Sequence, residues 1–257
     1  PFTEAPWTVD EINGVGANSL DAFGIYAHDV KPPVLVTQIY AKVYPLGLII
    51  GDADHPFTGQ FDGKGHEISN LFIYRPPIEP TGPKSLVYLP RNAPDFIGLF
   101  PNVDDPAIIK NVGIVDCDIT GRDVTGALIG SNTGEITSCH SSGSVTGGGY
   151  TGGLIGQNGG AGKVTGCHSS CTVTGQESYT SADDSFGGLV GYHPAGPAIS
   201  QCYATGNIIA PDATSIGGLV GYTLGPVTDS YARGDVTGNY AGGLVGVNRG
   251  ATTYCPN

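Results

Sequence analysis

The sequence predicts an all-β fold of stacked coils, and three observations support this. A motif close to Gly-Gly-Leu-Ile/Val-Gly recurs along the C-terminal two-thirds, with its leucines 29, 26, 35, 30 and 25 residues apart at Leu99, Leu128, Leu154, Leu189, Leu219 and Leu244. Such a period is typical of a repeat array in which each unit packs on the next. The 42 glycines and 19 prolines in 257 residues favour sharp turns over long helices. β-Branched residues near the end of each unit suit stacked parallel strands.

The chain is predicted to begin with a cap or assembly segment at residues 1–36, followed by a single solenoid at 37–257. A cap is expected because an open coil leaves core side chains and strand edges bare. Within the solenoid, residues 76–94 contain six prolines. Each proline would remove a donor from a strand ladder, so this stretch is predicted to be an excursion loop.

From Asp95 onward, each unit is predicted to form one coil of three short strands. The first strand carries the Leu-Ile/Val step, the second ends in Cys or its substitute, and the third closes in Val/Ile-Thr-Gly. The closing elements begin at Ile119, Val145, Val173 and Val236, and Ile208 begins the divergent copy.

Alignment of the second strands gives an inward column: Val112, Cys139, Cys167, Cys202, Ser230 and Cys255. Neighbours in a parallel stack are about 4.8 Å apart, which is within the Cα range of a disulfide. Two alternatives are therefore possible at these positions: a Cys139–Cys167 disulfide, or free buried thiols. Free thiols are favoured because inward side chains in register run parallel, and cysteine is readily buried as a small apolar residue. The chain has no Cys-x-x-Cys pair of the kind a zinc site would use.

The residues that directly follow this column are aromatic and are predicted to point outward by strand alternation. We call this set the aromatic stripe: His140, His168, Tyr203 and Tyr231. One interpretation is a surface that grips a sugar or another protein, with a metal shared by the two histidines. The other is a purely structural stack, in which each cross-strand pair contributes about 0.2 to 1 kcal/mol.

Two polar sets complete the pattern. The positions after each Leu-Ile/Val-Gly unit predict a structural corner ladder: Asn102, Asn132, Asn158, His193, Thr223 and Asn248. Loop carboxylates offer oxygen ligands of the kind calcium prefers, although such groups are more often simply solvated. The calcium candidates are Asp104, Asp105, Asp183 and Asp184. No other cofactor is predicted.

The net charge of −12 argues against a nucleic-acid partner, which would require a basic surface. The longest apolar run, Val43 to Ile50, is far shorter than the roughly 20 residues of a spanning helix, so no transmembrane segment is predicted. Few lysines, many small polar residues, an acidic balance and the absence of methionine indicate an exported protein that is a processed or truncated product. An extracellular or cell-surface location follows.

The stretch Gly152-Gly153-Leu154-Ile155-Gly156, its copies, and Phe57 to Leu71 resemble the bacterial and archaeal surface proteins that carry the GLUG motif. The resemblance covers roughly residues 45 to 255. It implies a right-handed parallel β-helix of the kind found in adhesins and other large extracellular proteins. Some of those proteins are surface peptidases whose catalytic domains lie elsewhere.

Catalysis is not predicted from these residues. A glycosidase or polysaccharide lyase on this scaffold needs facing acids on adjacent coils, yet Asp116 and Asp118 align with Ser142 and Ser144. The predicted function is a non-catalytic extracellular structural protein, a cell-surface or filament subunit that self-associates head to tail. Its last coil, with Gly242, Tyr254 and Cys255, would meet the N-terminal part of the next copy. The alternative is an adhesin or carbohydrate-binding module, so the predicted partners are the chain itself or surface glycans.

Overall fold

The computed structural model describes residues 50–51, 55–75, 96–176 and 184–250. These residues form strands and no helix, and they all lie in one compact unit. Nothing helical in this part of the chain is long and apolar enough to cross a bilayer. The predicted cap at 1–36, the loop at 76–94, and Asp183, Tyr254 and Cys255 lie outside the described residues, so the predictions for them remain predictions.

The strands repeat the same path coil after coil. The first described coils contain β1 (Gln60–Ser69), β2 (Phe72–Tyr74), β3 (Phe96–Ile97), β4 (Phe100–Val103) and β5 (Ile108–Thr120). The next coil contains β6 (Val124–Gly126), β7 (Ile129–Asn132), β8 (Glu135–Thr137) and β9 (His140–Gly147). The coil after that contains β10 (Tyr150–Gly152), β11 (Ile155–Asn158), β12 (Lys163–Thr165), β13 (His168–Ser169) and β14 (Thr172–Gly175).

Three further coils follow. The first contains β15 (Ser185–Gly187), β16 (Val190–His193), β17 (Ile199–Ser200), β18 (Tyr203–Ala204) and β19 (Ile208–Ile209). The second contains β20 (Ser215–Gly217), β21 (Val220–Thr223), β22 (Val227–Thr228), β23 (Tyr231–Ala232) and β24 (Val236–Thr237). The last described coil contains β25 (Ala241–Gly242) and β26 (Val245–Asn248).

These strands form three parallel sheets, which confirms the predicted parallel β-helix. The first sheet has the order β25-β20-β15-β10-β6-β3, and the second has the order β26-β21-β16-β11-β7-β4. The third sheet has 14 strands and collects all the others. Register is kept from coil to coil, as in the pairs Gly152↔Gly187 and Gly187↔Gly217.

The strand boundaries differ from those that the sequence predicted. The motif leucines do not lie within a strand. Leu128, for example, occupies the bend between β6 and β7. Likewise Cys139 does not end β8 but lies in the corner between β8 and β9. A Cβ added at Gly126 would overlap the carbonyl oxygen of Ile129, so the leucine bend needs glycine for steric reasons.

The leucines form the predicted core column. Leu99, Leu128, Leu154, Leu189 and Leu219 are fully buried, whereas Leu244 in the last described coil is half-buried. Burial of such a side chain contributes about 1.5 to 3 kcal/mol. The closing elements add a second apolar column, with Val173 in register with Ile208 and both side chains buried.

The polar corner ladder forms as predicted at all described positions except one. Asn132 donates to the side-chain oxygen of Asn158 at 2.7 Å, and Asn158 donates to the carbonyl of Gly162 at 2.9 Å. Both amides are fully buried. Asn102 was wrongly aligned, because Val103 is the residue in register with Asn132. Leu99 lies one residue closer to Asn102 than the other leucines lie to their polar partners, so the ladder position falls on Val103.

The cysteine column is a second hydrogen-bonded ladder. All five described cysteines are free and buried, as the free-thiol alternative predicts. The thiol of Cys167 donates to the carbonyl of Thr165 and accepts the amide of Cys139, both at 3.4 Å. Ser230 plays the same part in its coil, because its hydroxyl donates to Thr228 and accepts the amide of Cys202.

Candidate binding surface

The aromatic stripe lies directly after a sharp corner in each coil. The corner residues have left-handed backbone conformations, with φ of 54° at Ser138, 62° at Gly166, 56° at Gln201 and 49° at Asp229. Each turn is followed by one inward residue of the cysteine column and then by one outward ring. The local chain direction therefore places every ring of the stripe at the same point of its coil.

The four rings form one continuous stack along the solenoid axis. His140 is in register with His168, which is in register with Tyr203, and Tyr203 is in register with Tyr231. Successive ring centroids lie 4.9, 4.6 and 5.1 Å apart, and the ring planes differ by 3°, 6° and 3°. The spacing is close to the distance of about 4.8 Å between parallel strands. The stack is thus a direct consequence of the register.

An acid closes the N-terminal end of the stack. Glu67 Oε1 lies 3.1 Å from His140 Nε2, although the two residues are on coils separated by a third. The residue between them is Gly113, which is in register with both. A Cβ added there would overlap the His140 ring. The missing side chain is therefore what allows the carboxylate to reach the imidazole.

A cation covers the opposite end. The guanidinium carbon of Arg233 lies 5.2 Å from the centroid of the Tyr231 ring, within cation–π range. Between these ends lies His168. Burial lowers the pKa of His168, and the neighbouring His140 lowers it further, so the neutral imidazole is favoured.

This geometry limits what the stripe can do chemically. The ring faces are covered by the neighbouring rings, so they are not open for a sugar to stack on. The ring edges do face solvent, and Tyr231 is 45% exposed. The two imidazoles are almost parallel, so their nitrogen lone pairs do not converge on one metal ion. Among the described residues no group of three or more His, Cys, Asp or Glu can hold a metal.

The other predicted site residues lie elsewhere and do not come together. Asp104 accepts a hydrogen bond from the Thr133 hydroxyl at 3.3 Å, and the Asp105 amide donates to the same hydroxyl. Asp184 lies several coils away, where its carbonyl accepts the amide of Ser215. Gly242 belongs to β25, which has a pairing partner on one side only within the described chain.

Sequence reasoning missed both ends of the stripe and a second aromatic group. Alternation along β1 identifies Glu67 as the partner of His140 only if the register of Glu67 with Gly113 is known. The second group joins Tyr150 to Tyr192 at 4.3 Å and Tyr192 to Tyr222 at 5.3 Å. Tyr192 and Tyr222 share a column, and the pattern Gly-Tyr at the same distance after Leu189 and Leu219 was a usable signal.

The comparisons with known proteins agree with this architecture. The family model for the GLUG motif matches residues 212–237, a stretch that contains β20 to β24 and so one coil. The predicted GLUG resemblance is therefore confirmed. Halomucin from Haloquadratum walsbyi (strain DSM 16790 / HBSQ001) is 34% identical over 105 residues, which are 41% of this chain and 1% of that protein. No solved structure matches the chain.

Proposed function

We propose that this GLUG-motif chain is a non-catalytic extracellular structural protein that forms a rod at the cell surface and self-associates head to tail. The observation that carries the proposal is the register of the coils, which is kept from one coil to the next apart from a shift of β5 against β1 and another against β9. The similarity to a surface-protein motif and to halomucin supports the extracellular assignment.

The carboxylates support a structural role more than a catalytic one. Hydrolysis of a glycosidic bond generally needs two acids that face each other across the substrate. Asp118 is instead in register with Ser144, and its carboxylate accepts the Ser144 hydroxyl at 3.2 Å. The amide of Asp116 likewise donates to Ser142. These contacts join coils and leave no facing acid pair at this position.

The outer edge of β26 supports head-to-tail contact. Val220 donates its amide to the carbonyl of Leu244 and is in register with Val245. In a parallel pair with this pattern, the registered residues Val245 and Val247 direct their own amide and carbonyl groups away from β21. Within the described residues those groups face no further strand, which suits pairing with a strand of another copy. Because donor and acceptor edges differ, such a contact is heterologous and grows into a filament unless the rotation closes a ring.

Light scattering of the full chain over a range of concentrations tests this proposal. The average mass should rise with concentration, and rods should be visible by electron microscopy. Val247→Pro removes the outward amide and should hold the chain as a monomer, whereas Val247→Ala keeps the amide and should assemble like the wild type. A wild-type chain of constant monomeric mass at every concentration would refute the self-association.

A further inference from the structure

We propose that the ring edges of the aromatic stripe bind a neutral, linear polysaccharide that runs along the solenoid axis and is held by hydrogen bonds. The inference rests on the proposed extracellular function and names a ligand class for one of its surfaces. It differs from the usual role of aromatic rings in sugar binding, because the faces are covered in this stack and only the edges are open.

The polar tips of three consecutive rings are available. The rings of His168, Tyr203 and Tyr231 stack on one another. Within the described part of the chain, their hydroxyl groups and ring nitrogens make no hydrogen bond. His140 differs, since its Nε2 is held by Glu67. A hydroxyl or imidazole tip can both donate and accept, so these three tips suit a partner rich in hydroxyl groups.

A second row of polar side chains, on the strand before each corner, repeats with the same period. A row of small hydroxyl residues lies three positions before the rings, and its members are in register: Thr137, Thr165, Ser200 and Thr228. The hydroxyls of Thr165 and Ser200 lie 3.3 Å apart, so this row is also continuous. A polymer that lies across the coils therefore meets the same two kinds of group at each step of about 4.8 Å.

The charges on this surface favour a neutral polymer. The cations on this surface are already engaged. Lys110 is in register with Thr137 and lies 3.7 Å from Asp62. Lys163 lies 3.0 Å from Glu135, and Arg233 is engaged at the Tyr231 end of the stack. Glu67 is an acid at the other end, and the chain has a net charge of −12. These negative charges would repel a sulfated or carboxylated polymer, whereas they would not repel a neutral one.

Affinity electrophoresis in gels that contain hydroxyethylcellulose or galactomannan tests the proposal, with alginate as the anionic comparison. The experiment uses the full chain at a concentration where light scattering shows monomers. At least one neutral polymer should retard the wild type, and alginate should retard it less. The double variant Tyr203→Phe/Tyr231→Phe keeps both rings and should weaken binding at least tenfold. The matched control Tyr192→Phe/Tyr222→Phe removes two hydroxyls from the second aromatic group and should bind like the wild type.

Three results would overturn the inference: no retardation by either neutral polymer, equal binding by both double variants, or stronger retardation in alginate. Unchanged thermal unfolding of the double variants shows that the stack itself is intact. The proposed function is tested separately, because assembly depends on Val247 and not on the hydroxyls. Shortening of the polymer by the wild type would refute the non-catalytic proposal, while retardation would still report on binding.

Discussion

Gly113 allows two side chains on non-adjacent coils to meet, and the same arrangement recurs on the buried side of the third sheet. There Gly143 is in register with Cys117, and the pairing of β9 with β14 places Cys171 beside it on the following coil. The contact between the two thiols, together with burial, raises the pKa of Cys117. A glycine in the middle coil thus couples its two neighbours directly.

Gly113→Ala tests this coupling on the surface. The new methyl group would overlap the His140 ring, so the imidazole must move away from Glu67 and out of the stack. Overpacking of this kind costs about 1 to 3 kcal/mol, and chemical denaturation measures it. Gly159→Ala is the control, because its added Cβ would be no closer than 3.5 Å to a neighbour. Equal stability of the two variants would contradict the role assigned to Gly113.

Substitutions of Cys167 test whether hydrogen bonds stabilise the inward cysteine column. Hydrogen bonds to Cys139 and Cys202, reinforced by burial, raise the pKa of the Cys167 thiol well above its usual range, so the thiol stays protonated. Cys167→Ser should keep the ladder, since Ser230 already occupies the same position in another coil. Cys167→Ala should destabilise the fold by about 1 to 3 kcal/mol more, because the amide of Cys139 loses its partner. An alanine variant as stable as the serine variant would show that packing alone maintains the column.

At the scale of strands, the polar corner ladder connects β7, β11 and β16 through side chains as well as backbone. His193 replaces asparagine in this ladder and is fully buried. Its Nδ1 lies 2.8 Å from the carbonyl oxygen of Asn158. Burial lowers the pKa of His193, and the carbonyls of Asn158 and Pro197 only partly oppose this effect. The ladder therefore contains one group whose protonation opposes folding.

This predicts a loss of stability in mild acid. The folded pKa of His193 is below its unfolded value of about 6.5, so the unfolded chain takes up the proton first as the pH falls. Stability from this group is complete above the unfolded pKa and is lost below it, at up to about 1.4 kcal/mol per pH unit until the folded pKa is reached. Urea unfolding between pH 8 and pH 5 measures the slope. His193→Asn should flatten it, leaving the contribution of His168, whereas an unchanged slope would contradict the assignment.

Much of this element pattern was readable from the sequence, and the failures have physical causes. The leucine spacing and the Val-Thr-Gly steps predict the coils because one buried column imposes one residue type. The prediction for Asn102 was wrong because Asn102 lies three residues after its leucine, whereas the other ladder residues lie four after theirs, so the strand register puts Val103 at the ladder position. The partnership of Glu67 with His140 was not readable without the strand register, since it depends on the missing side chain of Gly113 between them. Ring stacking follows from register, but whether the ring faces or edges are open required the structure.

At the scale of the whole molecule, stability is distributed along one dimension. Each coil contacts mainly the coil before and the coil after it, so the free energy of unfolding is approximately a sum of coil terms and interface terms. Insertions such as residues 177–183 interrupt the leucine spacing, yet the strands on either side stay in register, as Tyr150↔Ser185 shows. The solenoid therefore tolerates extra residues at a corner but depends on every interface between coils.

This dependence predicts that equal substitutions differ in effect according to position. Leu154 is fully buried between the coils of Leu128 and Leu189, so Leu154→Ala should cost about 2 to 5 kcal/mol through lost burial and a cavity. Leu154→Asp should unfold the solenoid, because an unpaired charge enters the core. Leu244 is half-buried in the last described coil, and Leu244→Ala should cost clearly less than Leu154→Ala. Circular dichroism during urea unfolding measures all three variants. Tolerance of Leu154→Asp, or equal losses for the two alanine variants, would show that the coils do not form a single stack with a shared leucine core.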